Sequence, residues 1–291
     1  MHAKGYLFVG LACVLVLYLV TLVAGGFGRP TWFHAVVGFV TAFFDTLGIG
    51  SFATTTSIFK LKSLVPVKLM PGTLNVGHTL PTITQAFIYT KIVPVELRTL
   101  VLMILAAVLG SLAGVGAVVR WPRRKIQIGM ALALLGAAAL FLMTQLNLFP
   151  AGGDTLGLSG ARLWIGLAGN FALGVLMMLG IGLYGPCMIL VSLLGMNPTA
   201  AFPIMMGSCA FLMPIASVRF VRTRSYHKAA AWGLAIGAVP AVLIAAYLVT
   251  SLPLYAVRWL VIVVVVYTSI NMLLTARQPE RARDVMDADD A

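Results

Sequence analysis

Charge is scarce in this chain. Of 291 residues, 10% are charged and only eight are Asp or Glu, whereas a soluble domain carries about 25% charged residues. That shortage excludes a water-facing globular enzyme, a disordered protein and a nucleic-acid binder. Cysteine is equally sparse. Cys13, Cys187 and Cys209 have no spacing suited to a disulfide or a metal and lie in apolar surroundings, so they read as small packing residues. Enzyme signatures are missing too: the sequence holds no HExxH, no GxSxG and no paired carboxylates within an apolar run. Nothing in it calls for a catalytic residue, a cofactor or a metal.

Hydrophobic residues, by contrast, make up 60% of the chain and the mean hydropathy is +1.01. This is the composition of an integral membrane protein, all-α and polytopic, with the lipid bilayer as its solvent. At roughly 30 residues per span and loop, the length allows about eight or nine segments in one membrane domain. The net charge of +12 does not point to nucleic acid, because Lys and Arg fall almost wholly between apolar runs, as cytoplasmic loops require.

The runs cover about 6–24, 35–59, 70–90, 97–119, 126–146, 162–194, 201–218, 229–250 and 257–275. The first has about the 20 residues a span needs, against about 7–15 for the core of a signal peptide. It reads as a retained extra transmembrane helix within 1–31. The run 162–194 is too long for one straight crossing, and Leu179-Gly180-Ile181-Gly182 and Gly185-Pro186 interrupt it. A discontinuous segment is expected there.

Sliding the chain against itself by 132 positions sets Leu47-Gly48-Ile49-Gly50 on Leu179-Gly180-Ile181-Gly182, Leu61 on Leu193, Pro66 on Pro198 and Pro71 on Pro203. Those are seven identities in 29 positions, where Leu and Gly bias would give roughly two or three. Two repeats are expected, 32–147 and 161–276, followed by a short cytoplasmic tail, 277–291. Nine full crossings would divide the 20 basic residues 9 against 11, leaving no cytoplasmic face. If each LGIG segment is instead a hairpin that enters and leaves on one face, the repeats are inverted and the division becomes 15 against 5, as the positive-inside rule demands. Inverted repeats with interrupted helices are a recurring plan of secondary transporters.

Limbs of 10 or 11 residues in the first hairpin, about 35–45 and 51–60, reach about 15 Å, half of a 30 Å hydrocarbon layer. The helix starts at Ser51 and near Gly185-Pro186 would then aim free amides and positive dipole ends at one place, which suits an anion. The candidate binding residues are Gly48, Gly50, Ser51, Thr54, Thr55, Asn75, His78, Gly180, Gly182, Tyr184, Gly185, Cys187, Ser208 and Cys209. Neutral donors on a glycine-walled space could replace an oxyanion's hydration shell and still release it. The alternative is that small and hydroxyl residues, Gly110 and Gly114 among them, let helices approach closely. Asp45 is the one acidic residue inside a membrane segment. It reads as a coupling or gating group, since a carboxylate held out of water can exchange a proton, or as a local cap on the apex backbone. His78 reads as a proton shuttle or as a packing residue. Pro66, Pro71, Pro81, Pro198, Pro203 and Pro214 are expected at turns and kinks.

The duplicated LGIG breaks, each with a short limb and a proline-bounded loop, together with 182–187 and 201–210, resemble the sulfite exporter TauE/SafE family, also called the 4-toluene sulfonate uptake permeases. The resemblance spans nearly the whole chain after about residue 32. It implies a multi-pass transporter of sulfur-containing anions such as sulfite or organosulfonates in the bacterial inner membrane, with possible proton coupling. Family members often carry three glycines at the break, whereas here Ser51-Phe52 follow Gly50 and Leu183-Tyr184 follow Gly182. The other readings are a permease for a cation or neutral solute with Asp45 as ligand, and a non-transporting receptor or assembly component.

Overall fold

A computed structural model describes residues 2–47, 49–149, 151–180, 182–248 and 255–276. Gly48 and the tail 277–291 lie outside the described residues. Eleven α-helices and two short 3-10 turns account for most of the described residues, and the only β pairing among them is a bridge between Thr155 and Met196. The chain is all-α. The helices are α1 (His2–Ala24), α2 (Trp32–Thr46), α3 (Ser51–Leu61), α4 (Met70–Ile92), α5 (Leu97–Val118), α6 (Arg123–Gln145), α7 (Gly160–Met177), α8 (Tyr184–Leu193), α9 (Ala201–Arg222), α10 (Lys228–Leu248) and α11 (Tyr255–Ala276).

Within α1, α5, α6, α7, α9 and α10 lie six stretches long and apolar enough to cross a membrane. Their outer faces carry Val9, Val16, Val20, Leu105, Leu109, Trp164 and Ile236 in exposed positions, a belt of apolar surface that a soluble monomer does not present. A protein of this build is a polytopic membrane protein. Among the six, the stretch holding α9 is the most enclosed, 78% buried, and that of α1 the least, 22%. The centre of the bundle is therefore α9, with α4 packed along it, while α1 lies at the edge.

The long run at 162–194 is two helices, as its interruptions imply. α7 ends at Met177 and α8 starts at Tyr184, with Gly180 at φ +91°, a left-handed conformation that glycine adopts without a Cβ clash. The run at 35–59 divides likewise into α2 and α3. Both pairs fold back on themselves, but α2 has 15 residues where the sequence predicts 11, and α7 has 18, because each helix starts before the apolar run does. His34 in the first turn of α2 faces Phe59 near the end of α3, ring centroids 6.3 Å apart. Arg162 near the start of α7 reaches Gly195 just beyond α8, and Gly169 packs on Leu190.

Element order in the first half, hairpin, 3-10 turn and three long helices, recurs in the second. The packing partners recur as well: α2 lies on α10 and α7 on α5, α4 on α10 and α9 on α5, while α4 meets α9 and α6 meets α11. Glycine sets the α2–α10 and α5–α7 distances. A Cβ at Gly110 or Gly174 would run into the backbone carbonyl of Phe171 or Ala107, and one at Gly38 or Gly237 into that of Leu234 or Ala35. Gly110 and Gly114 thus hold α5 against α7. Small residues drive such close approach in lipid, where apolar burial gives helices little reason to associate.

Proline falls where its missing N–H is tolerated. Pro66 precedes the first 3-10 turn, Pro198 opens the second, and Pro71 and Pro203 sit in the first turns of α4 and α9. Pro81, Pro214 and Pro240 lie inside helices, where each removes one backbone bond.

Replacement of Gly174 by Ala is expected to lower stability by about 1–3 kcal/mol, because the backbone it meets cannot move aside. Gly136, with nothing within 4 Å of its would-be Cβ, is the control: Gly136→Ala should be neutral or stabilising by up to about 1 kcal/mol. Thermal unfolding of the two variants in detergent compares them directly, and equal effects would refute the close-packing account.

Candidate functional site

Where α2 stops, its last turn needs partners that water cannot supply. Asp45, one residue before the end of α2, is 5% exposed. Its Oδ1 accepts a 2.6 Å hydrogen bond from the backbone N–H of Ser51, the first residue of α3. A side chain at the end of one limb thereby satisfies an amide at the start of the other, and the turn between them is closed. Its second oxygen, Oδ2, accepts from Gln85 Nε2 of α4 at 2.9 Å.

Gln85 is fully buried and uses every polar group it has. Nε2 also donates to Thr46 Oγ1 at 2.9 Å, and Oε1 accepts from the Tyr184 hydroxyl at 2.6 Å. Tyr184 is the first residue of α8. One amide therefore joins the apex of the first hairpin to that of the second, with Asp45 on one side and Tyr184 on the other. Tyr89, a turn beyond Gln85 on α4, donates to the Thr46 carbonyl at 2.9 Å and fastens the same turn from below.

The two apices enclose a small cavity of about 20 Å³ lined by Asp45, Gly50, Ser51, Thr82, Gly182, Leu183, Tyr184, Cys209 and Met213, among others. That is room for about one water. A larger cavity of about 210 Å³ adjoins it, running from Gly50, Gly182, Tyr184, Gly185 and Pro186 past Leu140, Phe141 and Thr144 to Phe149. Amides in the first turns of α3 and α8 lack intrahelical partners. Ser51 N–H is taken by Asp45, and Pro186 has no N–H to offer.

Of the residues singled out in the sequence, Asp45, Gly50, Ser51, Gly182, Tyr184 and Cys209 meet at the apices, with Gly185 on the adjoining wall. Others lie elsewhere. Thr54 donates back to the Gly50 and Ser51 carbonyls and borders a separate apolar cavity with Phe44 and Val265. Thr55 Oγ1 and His78 Nε2 pair with each other at 2.9 Å, both out of contact with solvent. Asn75 donates to the Pro71 carbonyl, and its Oδ1 has no hydrogen-bond partner. Ser208 accepts from Asn170 Nδ2 at 3.1 Å. Gly180 shapes the turn that leads to α8 and faces Met130 and Leu74. Cys187 is fully buried. Cys209 Sγ lies 3.6 Å from Met177 Sδ, and Cys13 is exposed. Gly48 lies outside the described residues.

Sequence reasoning passed over Gln85, Thr46, Thr82, Tyr89 and Asn170. A signal for most of them exists. Asn75, His78, Thr82, Gln85 and Tyr89 follow one another at steps of three and four, the spacing of a single helix face, so α4 carries a polar stripe through an otherwise apolar bundle. At a shift of 132 the same positions in α9 read Gly207, Ala210, Pro214, Ser217 and Val221. The polar stripe belongs to one half only. Comparison of the chain with family models, with curated proteins and with solved structures gave no match.

Gln85→Leu removes the partners of a buried carboxylate oxygen and a half-buried phenol together, so it should cost about 2–4 kcal/mol of stability. Tyr184→Phe, which removes one neutral hydrogen bond, should cost about 1 kcal/mol. Because the two act on one network, the double variant should lose less than the sum. Strict additivity in equilibrium unfolding would show that Gln85 and Tyr184 act separately.

Proposed function

We propose that the chain is a secondary transporter that moves a small sulfur-containing oxyanion, such as sulfite or an organosulfonate, across the bacterial inner membrane with a proton as partner. The observation that carries the reading is the meeting of two broken helices around Asp45, Gln85 and Tyr184. Irregular backbone inside a membrane protein is tolerated only when buried in protein or lining a cavity, and here it does both. Paired breaks with helix starts aimed at a common point are the plan by which transporters hold anions near the midplane. The resemblance of the LGIG breaks to the sulfite exporter TauE/SafE family supplies the substrate class.

We read the two halves as inverted repeats. Three things support this: the recurrence of element order, the exchange of packing partners between halves, and the 15 to 5 division of basic residues that two hairpins produce. With the apex cavity as small as one water, we read the structure as an occluded form. Substrate would enter along the 210 Å³ cavity and part the apices.

Asp45 gives the cycle its proton. Its carboxylate already holds the Ser51 amide, the first donor an anion would seek at the start of α3, so carboxylate and substrate compete for one place. Two negative charges a few ångströms apart in a poorly hydrated site repel strongly. Protonation of Asp45 lifts that repulsion, and anion and proton enter together. No Lys or Arg lines the apex cavity, which leaves the bound anion free to depart.

A second reading draws on the same carboxylate. Asp45 is the one acidic side chain lining the apex cavity, so a permeating cation would use it as a ligand, with Thr82 and backbone carbonyls beside it.

Proteoliposome flux decides between them. Radiolabelled sulfite should accumulate in response to a pH gradient, and Asp45→Asn should abolish the response to the gradient while sulfite still stabilises the purified protein thermally. Uptake of a metal ion but not of sulfite, lost in the same variant, would establish the cation reading. Failure of sulfite, sulfonates and cations alike would leave neither standing.

A further inference from the structure

Another cavity, of about 500 Å³, opens at the base of the first hairpin, away from the apices. Three chain segments build it. Thr31 and His34 come from the start of α2, Phe59, Lys60 and Lys62 from the end of α3, and His227 from the turn before α10; Val65, Val67 and Met70 are among the residues that complete an apolar floor. No carboxylate is among the residues that line it.

The two imidazoles are arranged alike. His34 Nδ1 accepts from the Thr31 N–H and His227 Nδ1 from the Ala230 N–H at 3.2 Å. A neutral ring whose Nδ1 accepts carries its proton on Nε2. Each ring therefore keeps one N–H donor after its local bonds are made, and the ring centroids stand 6.0 Å apart. Lys60 and Lys62 add two ammonium groups. A concave surface of one sign over an apolar floor concentrates the field it creates. A cation would be repelled by the lysines, and no cluster of three metal-ligating side chains exists among the described residues.

We propose that Lys60, Lys62, His34 and His227 form a binding site for an oxyanion, a sulfate-like or phosphate group, at the mouth of the first hairpin. Its occupant is either a free oxyanion or the phosphate of an anionic lipid. The site does not depend on the transport reading and stands whatever crosses at the apices. Burial lowers the His227 imidazole below its ordinary value, and Lys60, Lys62 and His34 share its cavity, so the charged ring is disfavoured when the site is empty. An anion favours the charged ring, against the loss of the Ala230 N–H bond, since the added proton takes Nδ1. Binding therefore takes up a proton, and affinity rises as pH falls through the histidine range.

The test uses the full chain in phosphatidylcholine nanodiscs with labelled inorganic sulfate as probe. Sulfate should bind about tenfold more tightly near pH 5.5 than near pH 8. K60Q/K62Q, at the end of α3 where Lys60 is half-buried and Lys62 exposed, should weaken binding about tenfold at both pH values, whereas H227Q should reduce the pH effect. If phosphatidylglycerol in the disc displaces sulfate from the native chain, and stabilises it but not K60Q/K62Q, the headgroup is the occupant. If it does not displace sulfate, the free anion is. Sulfate binding that survives K60Q/K62Q and keeps its pH dependence in H227Q overturns the proposal, as does the absence of both sulfate binding and a phosphatidylglycerol effect. Should Tyr184→Phe alone abolish sulfate binding, the anion lies at the apices, which refutes this site and favours the transport reading.

Discussion

A peptide group or carboxylate with no water at hand must find its partner inside the protein, and the rest of this architecture follows from that requirement. Each unbonded amide or carbonyl in apolar surroundings costs several kcal/mol. A helix that breaks in mid-bundle exposes several at once. At the first break the debt falls on Asp45 and Gln85, whose side chains close the turn and tie it to α4. Elsewhere hydroxyl groups attend to themselves: Thr41, Thr46, Thr73, Thr79, Thr82 and Thr84 each donate to the carbonyl four residues earlier. These threonines put no free donor into a cavity, which is why a hydroxyl within an apolar helix is weak evidence of a binding site.

The same requirement explains what could be read from the chain in advance. Apolar runs announced the helices closely, because a span has a minimum length that no packing detail alters. The breaks were legible too, since LGIG and Gly185-Pro186 cannot continue a helix without cost. Facing was another matter. In a helix that is apolar all round, hydrophobic periodicity does not separate the buried side from the lipid side. Thr54 and Thr55 are neighbours in sequence, yet one borders an apolar cavity separate from that between the apices and the other bonds His78. Gln85 went unnoticed because it is neutral, and attention to ionisable groups finds Asp45 without the amide that holds it.

Asn170 shows a further limit of sequence. It donates to the Met103 carbonyl and to Ser208, tying α7 to α5 and α9, three helices whose contact no local pattern foretells. Its role is fixed by tertiary neighbours 67 and 38 residues away. The vestibule at the first hairpin's base has the same character, since His34 and His227 are brought together only when α10 lies along α2.

That last contact has a mechanical meaning. α2 is pressed to α10, and α7 to α5, through glycines so close that backbone touches backbone. Interfaces this tight resist sliding, so each couple is a rigid pair. Yet every couple draws one helix from the front of the chain and one from the back. The tightest couples therefore cut across the two halves of the chain, and any relative movement has to fall at the seams between couples.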